Sequence, residues 1–68
     1  MSVYKVIEIV GTSPDSWEAA AAGAVAKASG SLRDLRVGEA TTFDLTIGDD
    51  GLVESYRVKL SISFKFED

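Results

Sequence analysis

The feature that most constrains this chain is the alternation from Leu52 to Phe66 of a set of residues that is almost wholly apolar with a set that is largely polar. A period of two residues places the two sets on opposite faces of a β-strand. At about 3.3 Å per residue such a strand extends roughly 50 Å, whereas an ordinary strand has about five or six residues. A chain of 68 residues is too short to cover it, so the alternation predicts assembly with further copies of the same chain.

The composition limits what else could stabilise a fold of this size. The length allows one domain, residues 1–68, and so small a domain buries only about 60% of the surface that its unfolded chain exposes. The sequence has no cysteine and no histidine, which excludes disulfides and zinc sites of the common Cys/His kind. Oligomerisation and cations held by oxygen ligands remain as sources of stability.

The net charge of −4 argues against nucleic acid as a partner, because binding to phosphates requires a surplus of Lys and Arg. No apolar run reaches the length of a membrane span, and the N-terminal residues do not form the pattern of a secretory signal. We therefore expect no membrane partner and a cytoplasmic location. Without His or Cys, and with no constellation that would perturb a carboxylate or lysine, we expect no enzymatic activity.

The first half of the sequence predicts a strand and then a helix. Residues Val3–Val10 are largely apolar on both faces, which is typical of a central or doubly covered strand. The segment from Gly11 to Pro14 is predicted to be a turn and cap. The helix begins after Ser13, with Pro14 in its first turn, or after Ser16, which we favour. It ends near Gly30 in a left-handed conformation and buries a stripe of small side chains behind one aromatic residue: Trp17, Ala21, Ala24, Val25 and Ala28.

The second half predicts a long hairpin. A strand from Leu35 to Ile47 is followed by the turn composition Gly48-Asp49-Asp50-Gly51. If Ile47 faces Leu52, the apolar faces of both strands coincide, with Phe43 opposite Tyr56 and Val37 opposite Ile62. A bulge near Gly38 is the alternative, and it would re-aim Val37. The predicted fold class is α+β, a β-α-β-β subunit with a three-stranded antiparallel sheet packed on one helix.

Four segments together resemble the dodecin family: Val3 to Pro14, Ser16-Trp17-Glu18 with the alanine-rich helix, Leu32-Arg33-Asp34-Leu35, and Tyr56 to Phe64. The resemblance covers nearly the whole chain. It implies trimers assembled into a hollow homododecamer that binds flavins, FMN or riboflavin, in pairs at twofold contacts. It also implies storage or buffering of a small ligand without catalysis, with the polar side of the last strand toward other subunits or the interior of the shell.

The resemblance marks three ligand-binding positions in this sequence. Val37 stands where flavin-binding dodecins carry a tryptophan that stacks on the flavin ring, and Arg57 stands where they carry a glutamine. Lys65 occupies the place of an arginine that in some dodecins meets a phosphate-bearing ligand. Valine cannot stack on a flavin ring as an indole does, so we expect a loss of flavin affinity. The resemblance therefore supports the hollow assembly more strongly than it supports flavin as the ligand.

A closer resemblance, to the calcium dodecin subgroup, rests on Arg36-Val37 and Tyr56-Arg57. It implies a cage that binds calcium or magnesium, with Glu8 and Asp44 as candidate oxygen ligands. The alternative is that both are ordinary exposed carboxylates of strands. A shell without any small ligand is a third possibility.

Overall fold

A computed structural model describes residues 2–65. Strand β1, Tyr4–Ser13, is followed by helix α1, Trp17–Ser29, and by strands β2, Leu35–Ile47, and β3, Val53–Lys65. The strands form one antiparallel sheet in the order β1-β3-β2, which confirms the predicted α+β class and β-α-β-β order. The Cα atoms extend over 52 × 20 × 14 Å, a length that matches the roughly 50 Å expected of the last strand. Phe66, the predicted end of that strand, lies outside the described residues.

The core lies between helix α1 and the middle of the sheet. Val58, Leu60 and Ile62 of β3 are buried, because β3 has a neighbouring strand on each side and the helix above it. Strand β1 was predicted to be central or doubly covered, and it is an edge strand, so the first of these alternatives was wrong. Its second apolar set, which includes Val6 and Val10, is exposed, so the apolar character of its two faces does not reflect burial within one chain.

Strand β1 continues through Gly11, Thr12 and Ser13, where a turn was predicted. Gly11 lies opposite Val58 in the ladder, and the helix crosses directly over it. A Cβ atom at Gly11 would lie 2.3 Å from the carbonyl oxygen of Ala20 and 2.9 Å from the Cβ of Ala24. Glycine at this position is therefore required by the close approach of helix and strand.

Helix α1 begins as predicted, after Ser16, whose Oγ accepts a hydrogen bond of 2.9 Å from the backbone N–H of Ala19. The predicted buried stripe was partly wrong, because Ala20 is the buried residue and Val25 is exposed. Gly30 was predicted to be left-handed, but its φ of −71° is right-handed. Among residues 2–65, positive φ occurs at Asp34 and at Gly51 in the hairpin turn. The helix is too short and not apolar enough to cross a membrane.

The register of the hairpin differs from the predicted one because of three shifts, between Leu35 and Val37, between Ala40 and Thr42, and between Thr46 and Ile47. Ile47 lies opposite Val53, Phe43 opposite Val58, and Val37 opposite Ser63. Each extra residue inverts the alternation of side chains. The segment between the first two shifts, residues 37–40, is therefore turned over relative to the rest of β2.

This inversion decides where Val37 lies. Gly38 and Ala40 lie opposite Ile62 and Leu60 on the helix side, whereas Val37 and Glu39 lie on the other side of the sheet. The alternative of a bulge that re-aims Val37 is confirmed. The inversion also keeps Glu39, which lies opposite Ser61, away from the helix side, where a regular alternation along β2 would place it.

Candidate functional site

The five residues singled out from the sequence share one side of the sheet, the side away from helix α1, which we call the outer face. Glu8 lies on β1, Val37 and Asp44 on β2, and Arg57 and Lys65 on β3. The cross-strand neighbours form four rows, in the order β1, β3, β2: Val6, Ser63, Val37; Glu8, Ser61, Glu39; Val10, Lys59, Thr42; and Thr12, Arg57, Asp44. The central strand thus carries the cations of this face, and the two edge strands carry the carboxylates.

The strongest polar contact on the outer face joins Arg57 to Asp44. Arg57 Nε donates to Asp44 Oδ1 at 2.7 Å, and Arg57 Nη2 donates to Asp44 Oδ2 at 3.1 Å. Two parallel N–H···O bonds between a guanidinium and a carboxylate fix their relative orientation as well as their distance. Both side chains are about half exposed, so the pair is open to a ligand from solvent.

The same contact sets the charge state of both residues. The hydrogen bonds from Arg57 lower the pKa of Asp44, desolvation of the carboxylate partly opposes them, and the attraction between the two charges lowers the pKa further. Asp44 in turn raises the pKa of Arg57. The carboxylate and the guanidinium are therefore both charged at neutral pH, and a cation at Asp44 would compete with Arg57 instead of with a proton.

Trp17 holds the backbone of Asp44 from the helix side of the sheet. Its indole Nε1 donates a hydrogen bond of 2.9 Å to the carbonyl oxygen of Asp44, and its ring makes edge contacts with Phe43 at 6.0 Å and Tyr56 at 5.0 Å between centroids. The sequence predicted packing for Trp17 but not this role. A partly buried indole N–H needs a hydrogen-bond acceptor, and this requirement could have predicted that Trp17 donates such a bond.

The second ion pair of the outer face is looser. Lys59 Nζ lies 3.7 Å from Glu8 Oε1, and both side chains are well exposed. A lysine ammonium lacks the fork of donors that aligns a guanidinium with a carboxylate. Glu39, in the row of Glu8, makes no ion pair within residues 2–65.

The structure brings Asp44 and Arg57 into contact, but it keeps the other candidate residues of one chain away from this pair. Four residues along a strand and two strand spacings separate the backbones of Glu8 and Asp44 by about 16 Å, so one ion cannot bind both. Arg57 and Lys65 lie eight residues apart on β3, about 26 Å. Val37 lies close to Lys65, at the far end of the sheet from Arg57.

Val37 itself lies on the surface, with 63% of its area exposed. The other members of its row are Ser63 and Val6, so neither of these cross-strand residues offers Val37 an aromatic ring. Trp17 and Phe43 contact each other on the helix side of the sheet, and an open apolar groove of about 320 Å³ lies between them and Ala21, Ala40 and Val58, with Glu18 among its lining residues. The aromatic surface near β2 is thus on the opposite side from the predicted ligand positions.

No group of three or more carboxylates that could hold a metal ion occurs within residues 2–65. Calcium takes six to eight oxygen ligands, and Asp44 and Glu8 already contact cationic side chains. Within residues 2–65, a calcium site built from three or more carboxylates would therefore need ligands from more than one copy of the chain.

The sequence is similar along nearly its whole length to known proteins of one family. The family model described as Dodecin matches residues 3–67. Calcium dodecin from Mycobacterium tuberculosis is 52% identical over 65 residues, which cover 96% of this chain and 90% of the relative. Dodecin from Thermus thermophilus is 42% identical over 66 residues, which cover 97% of this chain and 94% of the relative.

Solved structures show the same similarity. A variant of Thermus thermophilus dodecin superposes with a TM-score of 0.92 at 41% identity and full coverage of both chains. A crystal structure of the Mycobacterium tuberculosis protein, described as a calcium-chelating immunodominant antigen with a novel calcium-binding site, superposes with a TM-score of 0.86 at 50% identity, covering 97% of this chain and 93% of that one.

Proposed function

Since this chain belongs to the dodecin family, we propose that it assembles into a homododecamer that binds and stores a small ligand at its subunit contacts, without enzymatic activity. The observation that carries the proposal is the outer face. It gathers every candidate ligand residue on one side of the sheet but spreads them along about 26 Å of β3. A compact site there needs residues from at least two copies.

Exposed apolar surface supports the assembly. Apart from Leu35 and Thr46, every residue of β2 is exposed, including Val37, Phe43 and Ile47 at 58–66% of their areas. The helix packs mainly on β1 and β3 and, apart from the contacts of Trp17 with Phe43 and Asp44, leaves β2 uncovered. Val37 lies on the outer face, and Phe43 lies on the helix side beside the apolar groove at Trp17. Apolar surface exposed on both sides of one strand supports contacts with other copies of the chain.

The ligand that we propose is not a flavin held between stacked rings. Val37 offers no ring, and the guanidinium of Arg57 uses two donor groups on Asp44, where the family's glutamine would leave its amide available. Stacking on an aromatic side chain contributes about 1–3 kcal/mol per base, and by analogy its loss lowers flavin affinity about 5- to 150-fold per ring contact.

Flavin titration of three proteins tests this reading. The wild type and the variants Val37→Trp and Val6→Trp are each added to riboflavin or FMN, and flavin fluorescence is followed. We expect weak quenching by the wild type, strong quenching by Val37→Trp, and no gain for Val6→Trp. Val6 is the matched control, because it lies in the same row and is 58% exposed, against 63% for Val37. Tight quenching by the wild type would contradict the proposal.

Calcium is the second candidate ligand, favoured by the 52% identity to calcium dodecin and by carboxylates on both edge strands of the outer face. A ligand that binds only the native assembly raises its melting temperature. We expect added calcium to raise the melting temperature and a chelator to lower it. We also expect Asp44→Asn to reduce the response to calcium more than Asp49→Asn, a change in the hairpin turn. A melting temperature unaffected by calcium and chelator would exclude this candidate.

A further inference from the structure

We propose that the helix side of β2 forms a second contact between copies of this chain, separate from the outer face and apolar where the outer face is charged. The inference rests on the proposed function, since it assigns part of the surface that would hold the homododecamer together. We call this surface the helix-side patch. It consists of three residues of β2 and two of α1: Ala40, Phe43, Leu45, Trp17 and Ala21.

The helix-side patch is exposed in a single chain although it is apolar. Phe43 is 58% exposed and Leu45 37% exposed. The open groove of about 320 Å³ between Phe43 and Trp17 is lined at its base by the buried Val58. In a single chain, water therefore contacts apolar surface whose burial against another apolar surface would be favourable.

The groove lacks the polar groups that would orient a small ligand. Ligand pockets combine apolar walls with a few convergent donors and acceptors. The indole N–H of Trp17 already donates to the carbonyl oxygen of Asp44 at 2.9 Å, and within residues 2–65 no buried side-chain nitrogen or oxygen lacks a partner. An apolar protein surface therefore fits the patch better than a small molecule does.

The exposed area of one chain indicates how much surface a partner would cover. The chain exposes 4975 Å², whereas a compact monomer of 7.2 kDa exposes about 4100 Å². Its radius of gyration is 14.0 Å, against about 11 Å for a compact domain of this length. The excess area is about 850 Å², close to the roughly 800 Å² that each partner buries in a standard protein–protein interface.

Symmetry favours another copy of the chain as the partner. One kind of contact between identical chains produces a dimer, a ring or an open filament, so a closed shell of twelve chains needs at least two kinds. The outer face provides one kind, because its candidate ligand residues are complete only between copies. The helix-side patch lies on the opposite side of the sheet and provides the other. Because this contact is apolar, we expect it to resist high salt, which screens charged contacts.

The accessibility of an introduced cysteine tests the contact with little disturbance. The chain has no cysteine, so Ala40→Cys and the control Ala26→Cys each carry one thiol, and both alanines are exposed in a single chain. Ala26 lies on α1 and does not line the groove. Each rate of labelling by a bulky maleimide is divided by the rate for the same variant unfolded in urea. We expect labelling of Ala40→Cys to be about tenfold or more slower than that of Ala26→Cys, because the contact must open first. Equal normalised rates would overturn the proposal.

Two variants with the same added charge test the consequence for assembly. Multi-angle light scattering should give Ala40→Glu a mass below twelve chains, while Ala26→Glu keeps the mass of the wild type. Trp17 is the single tryptophan of the chain, and acrylamide should quench its fluorescence more strongly in Ala40→Glu than in the wild type. Circular dichroism checks that each variant folds, and if Ala40→Glu does not fold, the labelling rates decide.

The masses also separate this inference from the proposed function. A folded Ala40→Glu variant that keeps the mass of twelve chains would overturn the inference and leave the proposed homododecamer standing. An equal loss of mass in Ala26→Glu would also overturn it, because the effect would then not be specific to the helix-side patch. A wild type with a mass of one or two chains would reject both.

Discussion

The packing of the helix on the first strand leads to a sharp prediction at Gly11. In the variant Gly11→Ala the new methyl group would lie 2.3 Å from the carbonyl oxygen of Ala20 and 2.9 Å from the Cβ of Ala24. Carbon contacts are comfortable only at about 3.5–4.0 Å. One neighbour is backbone and the other is a side chain without rotamers, so the helix must move away from the strand.

The expected loss combines two opposing effects. Insertion of a methyl group into a packed contact destabilises by about 1–3 kcal/mol, and the clash with backbone places Gly11→Ala in the upper part of that range. Replacement of glycine by alanine reduces the entropy of the unfolded chain and offsets about 0.4–1 kcal/mol, because Gly11 does not have a positive φ. We expect a net loss of about 2 kcal/mol, which lowers the melting temperature by roughly 8–16 °C in a domain of this size.

Thermal unfolding followed by circular dichroism measures the loss, with Gly23→Ala as the control. Gly23 lies in the middle of α1 and a Cβ there would meet nothing within 4 Å, so alanine should stabilise the helix by about 0.8–1 kcal/mol. All proteins are compared at one concentration, because assembly makes the melting temperature depend on it. A Gly11→Ala variant as stable as the wild type would refute the close packing of helix and strand.

Two further predictions concern the helix start and the outer face. Ser16→Ala should destabilise the protein by about 1 kcal/mol because the backbone N–H of Ala19 loses its acceptor, while Ser16→Asp should retain most of the stability in urea unfolding. Because Arg57 lowers the pKa of Asp44 in the folded protein, the pair's contribution is fully present above the ordinary value of 3.8 and is lost as the pH falls through the lowered pKa. Urea midpoints measured at neutral pH and below pH 3.8 should therefore fall less in Asp44→Asn than in the wild type, and an equal fall would contradict the assignment.

The elements were predictable because each carries a strong local signal. The alternation after Leu52 predicts a strand whatever it pairs with, and Ser16 followed by an alanine-rich segment predicts the helix and its start. The predicted strands extend to within a few residues of the observed ones, except that β1 continues to Ser13. There the pairing of Gly11 with Val58 prevailed over the turn preference of the Gly-Thr-Ser-Pro sequence.

The register and the site were less predictable because they depend on long-range packing. Bulges at two points of β2 turn over residues 37–40, and no local preference distinguishes that arrangement from a regular ladder. The Asp44–Arg57 pair could not be predicted for the same reason, since the predicted register did not place the two residues side by side. Ala20 is buried and Val25 is exposed because the helix approaches β1 at Gly11, directly below Ala20, and helical spacing alone does not determine where that contact forms.

The most direct test of the proposed cage is the mass of the protein in solution. Multi-angle light scattering at micromolar concentration should give twelve times the 7.2 kDa of one chain, about 86 kDa. We expect this mass because only an assembly can cover the exposed apolar residues of β2 and bring the separated candidate residues of the outer face close to one another. A mass of one or two chains at that concentration would contradict self-assembly, and with it the proposal that a ligand is held between copies.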